Sequence, residues 1–261
     1  MRDECLHALE ALTGKRKIYF TQRGNASIHS SLKFAKELGK VRMLIQDQGG
    51  WLKYLPIGEE LGFHVEKVRT NLGMLSPTLL SDLDDRSVVL WNSAPGYYAF
   101  EGKMQELHEL CSKKGATLIN DISGSVGNKC SLHGDILIGS FGRWKPIWLE
   151  RGGFVASDLE LPVEEHEFAQ DFFISLQDKL LNLNTRVEYL LKQSSMVKQD
   201  LKGHNLIKGD GFNVIVRFNN DQEKHVIISY CESKGLEYTI CPREIRVLEQ
   251  AISIEIKRLR E

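Results

Sequence analysis

Residues 116–157 read ATLINDISGSVGNKCSLHGDILIGSFGRWKPIWLERGGFVAS, and this stretch decides which fold the rest of the chain can adopt. It contains an apolar strand that ends at Asp121, a turn rich in glycine and serine, and a second apolar strand over 135–139. A short loop then leads to Lys145, and a pair of glycines opens a third strand at Phe154. The carboxyl ends of parallel strands share one edge of an α/β sheet, where such sheets bind ligands. We therefore expect Asp121 and Lys145 to lie at the same edge.

An aspartate and a lysine at that edge predict a site for pyridoxal phosphate. A lysine amine can hold the aldehyde of this cofactor as a Schiff base. A carboxylate beside the pyridine nitrogen keeps that nitrogen protonated, so that the ring can accept the electrons of a substrate carbanion. Lys145 and Asp121 are the candidates for these two roles. Taken alone, each residue is also explained as a surface lysine or as an aspartate in a turn.

Three motifs in this stretch follow one another in a fixed order. Asp121 begins a D-x-x-x-x-x-G pattern that ends at Gly127, Ser140 begins an S-F-x-x-x-K pattern, and Gly152-Gly153 begins seven residues beyond the lysine. In these motifs the chain resembles the aspartate aminotransferase superfamily, the fold-type I pyridoxal phosphate enzymes, and most closely its DegT/DnrJ/EryC1/StrS branch. The resemblance implies that the lysine carries the cofactor as an internal aldimine and that the aspartate faces the ring nitrogen.

A turn of small residues near the start of the chain fits a phosphate. Gly24, Asn25 and Ala26 stand directly before a predicted helix, whose free N–H groups and positive dipole end attract anions. Such turns also cap many helices that bind nothing. The resemblance implies that these three residues, together with Ser140, seat the phosphate of the cofactor.

Trp51 also stands at the start of a predicted helix. Most tryptophans in such places are core residues, but the resemblance implies that this one stacks on the pyridine ring and holds its plane. In the loop that follows the strand predicted over 87–91, Asn92 or a tyrosine is a further candidate for contact with the cofactor. A Pro-Gly turn explains the same residues.

The chain departs from the resembled branch at three points. Gly124 stands where many members have His or Gln, so a contact to the phenolic oxygen of the ring or to the aspartate is expected to be missing. Arg151 stands where many members have a glutamate before the two glycines. The chain is also shorter than usual members, which the resemblance attributes to a reduced C-terminal domain.

Strands and helices alternate through the first 157 residues, which predicts a mainly parallel, doubly wound α/β sheet with crossover helices. We expect a cofactor-binding large domain over 1–160, and a linking helix with a small α+β domain over 161–261. The pattern predicts a short helix over 77–83 and a long one over 164–198, where no glycine or proline occurs. The last segment, 243–261, fits both the helical and the strand period, and its length favours a helix.

Composition describes an ordinary globular chain. It has 261 residues with 34 basic and 35 acidic side chains, a balance that gives no reason to expect nucleic acid or a membrane surface as a partner. No apolar signal segment opens the sequence, so a cytoplasmic location is expected. Five scattered cysteines without a C-x-x-C pair argue against a disulfide framework and a structural zinc site. No histidine spacing indicates a metal site either.

Together these features predict a pyridoxal-phosphate-dependent transferase, an aminotransferase of the DegT-like kind that acts on small-molecule amine and carbonyl substrates. Lys145 would shuttle the proton of the substrate as general base and acid. A homodimer follows from the resemblance alone. Five arginines are open as partners of a substrate carboxylate, namely Arg23, Arg143, Arg151, Arg243 and Arg246.

Two alternatives stay open. The first keeps the cofactor but changes the reaction to elimination, desulfuration or decarboxylation, because the fold does not choose among these reactions. Cys130 and Cys231 are conceivable sulfur acceptors for it. The second is a non-catalytic binding or regulatory protein that kept the sheet.

Overall fold

The computed structural model describes residues 1–76, 80 and 82–260, and its largest element is a seven-stranded sheet. Its strands are β1 (Lys17–Thr21), β2 (Arg42–Gln46), β3 (His64–Val68), β4 (Ser87–Asn92), β5 (Thr117–Asp121), β6 (Ile136–Ser140) and β7 (Gly153–Ser157). They lie in the order β1-β7-β6-β5-β4-β2-β3. The four pairings among β2 to β6 are parallel, whereas β7 runs antiparallel to both β6 and β1. The sheet is therefore mainly parallel, as the alternation in the sequence predicts.

Helices cover both faces of this sheet. They are α1 (Arg2–Thr13), α2 (Gly24–Glu37), α3 (Tyr54–Glu60), α4 (Met104–Lys114) and α5 (Gln170–Leu181), and two further helices, α6 (Leu183–Asp200) and α7 (Asp221–Ser233), pack in the C-terminal part. On one face, Ile28 of α2 and Ile57 of α3 pack with Ile138 of β6. On the other face, α4 packs around Leu118, and α1 and α5 pack around Leu137. Apolar residues on both faces bury the central strands β4 and β5, which is typical of doubly wound folds, whereas the edge strand β3 is partly exposed.

A smaller antiparallel sheet follows in the C-terminal part of the chain. It contains β8 (Asn205–Leu206), β9 (Val214–Arg217), β10 (Tyr238–Ile240) and β11 (Ala251–Ile254), in the order β10-β11-β9-β8. Leu190 of α6 and Ile227 of α7 pack with Ile252 of β11 in a separate core. This part has the small α+β architecture expected from the sequence.

The long helix expected over 164–198 is wrong in extent. The segment forms two helices, α5 and α6, which meet at Asn182. The side-chain amide of Asn182 donates to the Asp178 carbonyl at 2.9 Å, a local bond that competes with continuation of the helix. The residues before Gln170 are not helical, and the His166 amide there donates to the Phe20 carbonyl of β1 at 2.9 Å.

The helix expected over 243–261 is also wrong, because this segment contains β11 and then a short 3₁₀ turn over Ile256–Arg258. Ile252 and Ile254 belong to the C-terminal core, and Ser253 and Glu255, which alternate with them, are buried as well. Both faces of the strand are therefore covered, and the period of two outweighs the length of the segment.

Three smaller features complete the comparison with the sequence. The helix expected over 77–83 lies largely outside the described residues. All five cysteines are buried and free. Within the described part of the chain, no helix is both long and apolar enough to pass through a membrane.

Candidate active site

A cavity of about 390 Å³ lies at the carboxyl edge of the large sheet, where the loop before β11 meets the strand ends. In the loop after β2, the Gly49 amide donates to the Glu244 carbonyl at 2.6 Å, and Gln48 Oε1 accepts from the Leu248 amide at 2.8 Å. These bonds hold the C-terminal segment over the edge. The volume suits a small molecule. Six residues expected at the site line the cavity: Gly24, Asn25, Trp51, Asp121, Ser140 and Lys145.

Asp121 ends β5 and is held in one orientation by two donors. Its Oδ1 accepts from the Ser123 amide at 2.9 Å, and its Oδ2 accepts from the Tyr54 hydroxyl at 2.5 Å. Tyr54 begins α3 and is fully buried, and this burial, together with the nearby carboxylate, raises the pKa of Tyr54. The phenol therefore stays protonated and remains a donor to Asp121. The sequence analysis did not find Tyr54, because its apolar neighbours make it look like an ordinary core residue.

Lys145 lies in the loop between β6 and β7, and its Nζ donates to the hydroxyl of Tyr97. Tyr97 comes from the loop after β4, where the sequence analysis left a tyrosine open as a contact. Tyr97 and Trp144 both line the cavity and both have a positive φ, 64° and 65° respectively. Bulky residues rarely adopt this conformation, and such strain tends to occur at functional sites.

Gly124 leaves room for the ring of Tyr97. A Cβ atom at this position would lie 2.7 Å from Tyr97 Cε1 and 3.0 Å from Ala94 Cβ. The place that a longer side chain at residue 124 would need is thus filled by an aromatic ring from another loop. This packing explains why glycine, and not a longer residue as in many members of the resembled branch, fits at position 124.

The N-terminus of α2 forms the part of the cavity that suits a phosphate. Arg23 precedes the helix and provides no side-chain cap, so the first-turn amides are not screened by a side-chain acceptor. Gly24 approaches β6 so closely that a Cβ atom would lie 2.9 Å from Ser140 Oγ. Ala26 of the expected phosphate set does not line this cavity, and its amide donates to the Arg23 carbonyl at 2.9 Å, so its part in binding a phosphate stays a prediction.

Trp51 lies at the rim of the cavity with 40% of its surface exposed. Its Nε1 donates to Asn25 Oδ1 at 2.8 Å, which fixes the indole beside the start of α2. Asn92 lines the cavity as well, but its side-chain amide donates to the Gly49 carbonyl at 2.9 Å and therefore serves the loop.

The C-terminal wall of the cavity consists of Ile245, Arg246, Lys257 and Arg258. Arg246 is buried and binds Glu255 through Nε and Nη2, each at 2.7 Å. Burial acts to raise the pKa of Glu255, but Arg246 and the neighbouring cations outweigh it and lower this pKa to about 2. Burial, followed by the charge of Arg246, lowers the pKa of Lys257 well below its usual value. Of the five candidate arginines, Arg23, Arg143 and Arg246 line the cavity.

Lys257 and Arg258 were missed, although the sequence carries a signal for Lys257. In the run Ile252 to Lys257, three isoleucines alternate with Ser253, Glu255 and Lys257. Because the isoleucines fill the C-terminal core, the three polar residues lie on the other face, toward the large sheet. A strand interpretation of this segment would have placed Glu255 and Lys257 near the cavity.

The chain is similar to several solved structures of enzymes. Over 97% of its length it matches 84% of a DegT DnrJ EryC1 StrS aminotransferase from Brucella abortus, with a TM-score of 0.76 and 10% identity. Over 98% of its length it matches 85% of the aminotransferase TlmJ from Streptoalloteichus hindustanus, with a TM-score of 0.74 and 14% identity. The chain has the fold of the fold-type I pyridoxal phosphate enzymes.

This fold-type I architecture is shared by enzymes with different reactions. A serine palmitoyltransferase from Sphingomonas wittichii matches 96% of the chain over 69% of its own length, with a TM-score of 0.71 and 15% identity. No family model and no curated protein matches the sequence. At these identities the likeness establishes the fold, and the reaction has to be argued from the side chains in the cavity.

Proposed function

We propose that this protein is a pyridoxal-phosphate-dependent aminotransferase of the DegT-like kind. The observation that carries the proposal is that Lys145 and Asp121 line one cavity with the N-terminus of α2. A lysine amine, a buried carboxylate and a helix N-terminus are the three groups that the aldehyde, the ring nitrogen and the phosphate of this cofactor require. The donor set of the cavity therefore fits the cofactor.

The side of the cavity formed by the large sheet and its loops, here called the sheet wall, comprises Gly24, Asn25, Trp51, Asp121, Ser140 and Lys145, and each of these residues has a distinct part in this proposal. When bound, the cofactor supplies a protonated ring that accepts the electrons of a substrate carbanion. Asp121 keeps the proton on the ring nitrogen, and Tyr54 and Ser123 keep the carboxylate pointed in one direction. Gly24, Asn25 and Ser140 would hold the phosphate, and Trp51 would stack on the ring.

Lys145 has two tasks. Its amine would hold the cofactor aldehyde, and the same Nζ, when free, would move the proton of the substrate α-carbon as general base and acid. The hydroxyl of Tyr97 accepts from this Nζ and holds it within the cavity. The two residues belong to different loops, so the bond also joins the loop after β4 to the loop after β6.

Transamination is preferred to a reaction that passes sulfur to a cysteine. Cys130 and Cys231 are both buried, neither lines the cavity, and burial raises the pKa of each thiol to about 11. An acceptor of sulfur has to be an accessible thiolate. Small-molecule amine and carbonyl substrates, a cytoplasmic location and a homodimer complete the proposal, and a second copy would cover the exposed Trp51 and Leu52.

The test is to locate the cofactor chemically. Purified protein incubated with pyridoxal phosphate is expected to absorb visible light, and borohydride should fix the label on Lys145, as peptide mapping would show. The Lys145→Ala variant should lose both signals, whereas the exposed Lys129→Ala variant should keep them. A label on Lys257, the other lysine of the cavity, would contradict the assignment.

A second experiment separates transamination from the other reactions of the cofactor. A labelled amino donor should yield a keto acid and leave its amino group on the cofactor. Release of free ammonia, carbon dioxide or sulfide instead would replace the aminotransferase proposal with the corresponding reaction. A colourless and unlabelled native chain would favour a non-catalytic protein.

A further inference from the structure

The loop between β6 and β7, residues 141–152, carries Lys145 and two tryptophans. Trp144 precedes the lysine directly, and Trp148 follows it by three residues. Both indole rings are partly buried, yet neither belongs to an apolar core cluster of the described residues. Contacts of another kind therefore have to hold these rings.

The contacts come from two arginines in the segment after β11. The guanidinium of Arg258 lies 4.2 Å from the ring centroid of Trp144, and that of Arg260 lies 5.1 Å from the ring centroid of Trp148. Guanidinium groups this close to an aromatic face are attracted to it, and tryptophan attracts them most strongly. The segment after β11 and the loop that carries Lys145 are thus joined by two cation–ring contacts.

The segment after β11 is itself held by α6. The Arg186 guanidinium donates to the Leu259 carbonyl, and the Tyr189 hydroxyl donates to the Arg260 carbonyl at 3.2 Å. These bonds fix the backbone on which both arginines stand. A contact with Arg258 or Arg260 therefore restrains the loop.

Arg258 is the closest cation to the Trp144 ring, since Lys257 lies at 5.5 Å and Arg143 at 5.9 Å from its centroid. Arg258 also pairs with Glu237 at 2.6 Å. The effect of removing Arg258 has to be compared, for this reason, with the effect of removing the Trp144 ring.

The backbone of the loop needs such a restraint. Trp144 has a φ of 65°, and Glu150 near the other end of the loop has a φ of 64°. Residues with side chains rarely adopt this left-handed conformation, and it persists only where the surrounding contacts hold it. The contact between Trp144 and Arg258 is one that can do so.

This restraint acts directly beside Lys145. Ile147, two residues further along, is buried in the core next to α5, so Lys145 lies between two anchored positions. Its Nζ donates to the hydroxyl of Tyr97. A lysine amine stands on a flexible four-carbon chain, and a fixed backbone on both sides limits the places that it can reach.

We infer that Trp144 and Arg258 are positioning residues, and that their contact fixes the loop and keeps the amine of Lys145 in the cavity. The task given to that amine rests on the proposed aminotransferase function, whereas the contact and its effect on the loop do not. A loop that is ordered beforehand loses little conformational freedom when a ligand binds, so the contact would favour uptake of the cofactor.

Hydrogen exchange of the full chain, freed of any bound cofactor, tests the contact. The Leu149 amide donates to the Phe141 carbonyl at 2.8 Å across the loop, so its exchange reports on loop opening. In Arg258→Met this exchange should accelerate by about 2- to 30-fold, the range expected for the loss of one cation–ring contact. Exchange in β9 should stay unchanged, which separates local opening from global unfolding.

The matched control is Lys224→Met. Lys224 of α7 lies 5.8 Å from the ring centroid of Phe218, so this variant removes a cation from a ring at another place. Its Leu149 amide should exchange as in the native chain. Equal exchange in the native chain and Arg258→Met would overturn the inference.

Two substitutions at Trp144 separate the ring from the backbone. Trp144→Asn removes the ring but tolerates a positive φ, and Trp144→Phe keeps a weaker aromatic face. The Leu149 amide should exchange fastest in the asparagine variant, with the phenylalanine variant between it and the native chain. The double variant Trp144→Asn with Arg258→Met should exchange no faster than Trp144→Asn, because both changes remove one contact. Multiplied effects in the double variant would overturn the inference.

Acetylation of lysines in the same cofactor-free chain, mapped by mass spectrometry, follows the amine itself. Relative to the exposed Lys192, Lys145 should react faster in Arg258→Met and in Trp144→Asn, because an open loop releases its amine from Tyr97. An unchanged reaction at Lys145 in both variants would overturn its positioning by this contact.

The two proposals can fail separately. If the native chain takes up no pyridoxal phosphate but Arg258→Met speeds both exchange of the loop and acetylation of Lys145, the positioning contact stands and the aminotransferase proposal fails. If the cofactor is fixed on Lys145 while neither variant changes the loop, the aminotransferase proposal stands and the positioning contact fails.

Discussion

The sheet wall of the cavity presents one carboxylate held by two donors, whereas the C-terminal wall presents three cations against a single buried carboxylate. Asp121 receives a phenol and an amide, both of which are neutral groups. Glu255 receives the guanidinium of Arg246 and has two further cations beside it. The buried carboxylate therefore has neutral donors on the first wall and several basic neighbours on the second.

This difference shows how each wall stabilises its buried carboxylate. The carboxylate of Asp121 already has two hydrogen-bond donors in the folded chain. The stability of the sheet wall therefore does not depend on a ligand, although the wall can orient one. On the second wall the carboxylate of Glu255 interacts with Arg246, Lys257 and Arg258, so it depends on several charged neighbours. Substitutions in the two walls should therefore lower the free energy of unfolding by different amounts.

Removing Arg246 should have the largest effect on stability. In Arg246→Met the carboxylate of Glu255 loses its two-point partner while its side chain stays fully buried, and the free energy of unfolding should fall by about 3–5 kcal/mol. Urea unfolding followed by circular dichroism measures this loss. The matched control is Arg151→Met, whose ion pair with Asp171 is more than half exposed and should contribute at most about 1 kcal/mol. Equal losses in the two variants would contradict the contrast.

Acid should weaken the same pair. The pKa of Glu255 falls from 4.5 to about 2 on folding, so its contribution is complete above pH 4.5 and is lost as the pH falls toward 2. A shift of this size corresponds to roughly 3 kcal/mol over the whole interval. Stability measured from pH 5 to pH 2 should therefore drop more steeply in the native chain than in the double variant Arg246→Met with Glu255→Met. Parallel curves for the two proteins would show that the pair is not titrating.

Removing the phenol on the sheet wall should have the smallest effect of the three. Tyr54→Phe takes one donor from Asp121 but leaves the Ser123 amide in place, so the free energy of unfolding should fall by about 1–3 kcal/mol. The control is Tyr238→Phe, because the Tyr238 hydroxyl makes no hydrogen bond within the described residues. Thermal unfolding of both variants measures this difference. If Tyr238→Phe were as unstable as Tyr54→Phe, the hydrogen bond from Tyr54 to Asp121 would not explain the loss.

The sheet wall could be predicted well because its information is local. Asp121 ends its strand and Lys145 follows the next strand by five residues, and the alternation of strands and helices brings those strand ends to one edge. The position of a residue along its own strand was enough to predict that both line one cavity. Their chemical roles stay a prediction.

The C-terminal wall could not be predicted in the same way because it depends on pairing between distant segments. Lys257 reaches the cavity only because β11 pairs with β9, and the segment was interpreted as a helix on account of its length. Tyr54 was missed for a related reason, since its partner Asp121 is 67 residues away in the sequence. Periodicity predicts which face is buried but not which distant side chain it meets.

The close packing of Gly124 against Tyr97 has a consequence for the evolution of related sequences. A side chain at position 124 and an aromatic ring at position 97 compete for one volume, since the distance from a Cβ atom to the ring would be only 2.7 Å. The two positions are therefore expected to covary, with a larger residue at 124 accompanied by a smaller one at 97. Glycine at position 124 then indicates that the volume is filled by a side chain from another loop, at position 97. An alignment of relatives would show the two positions as a correlated pair.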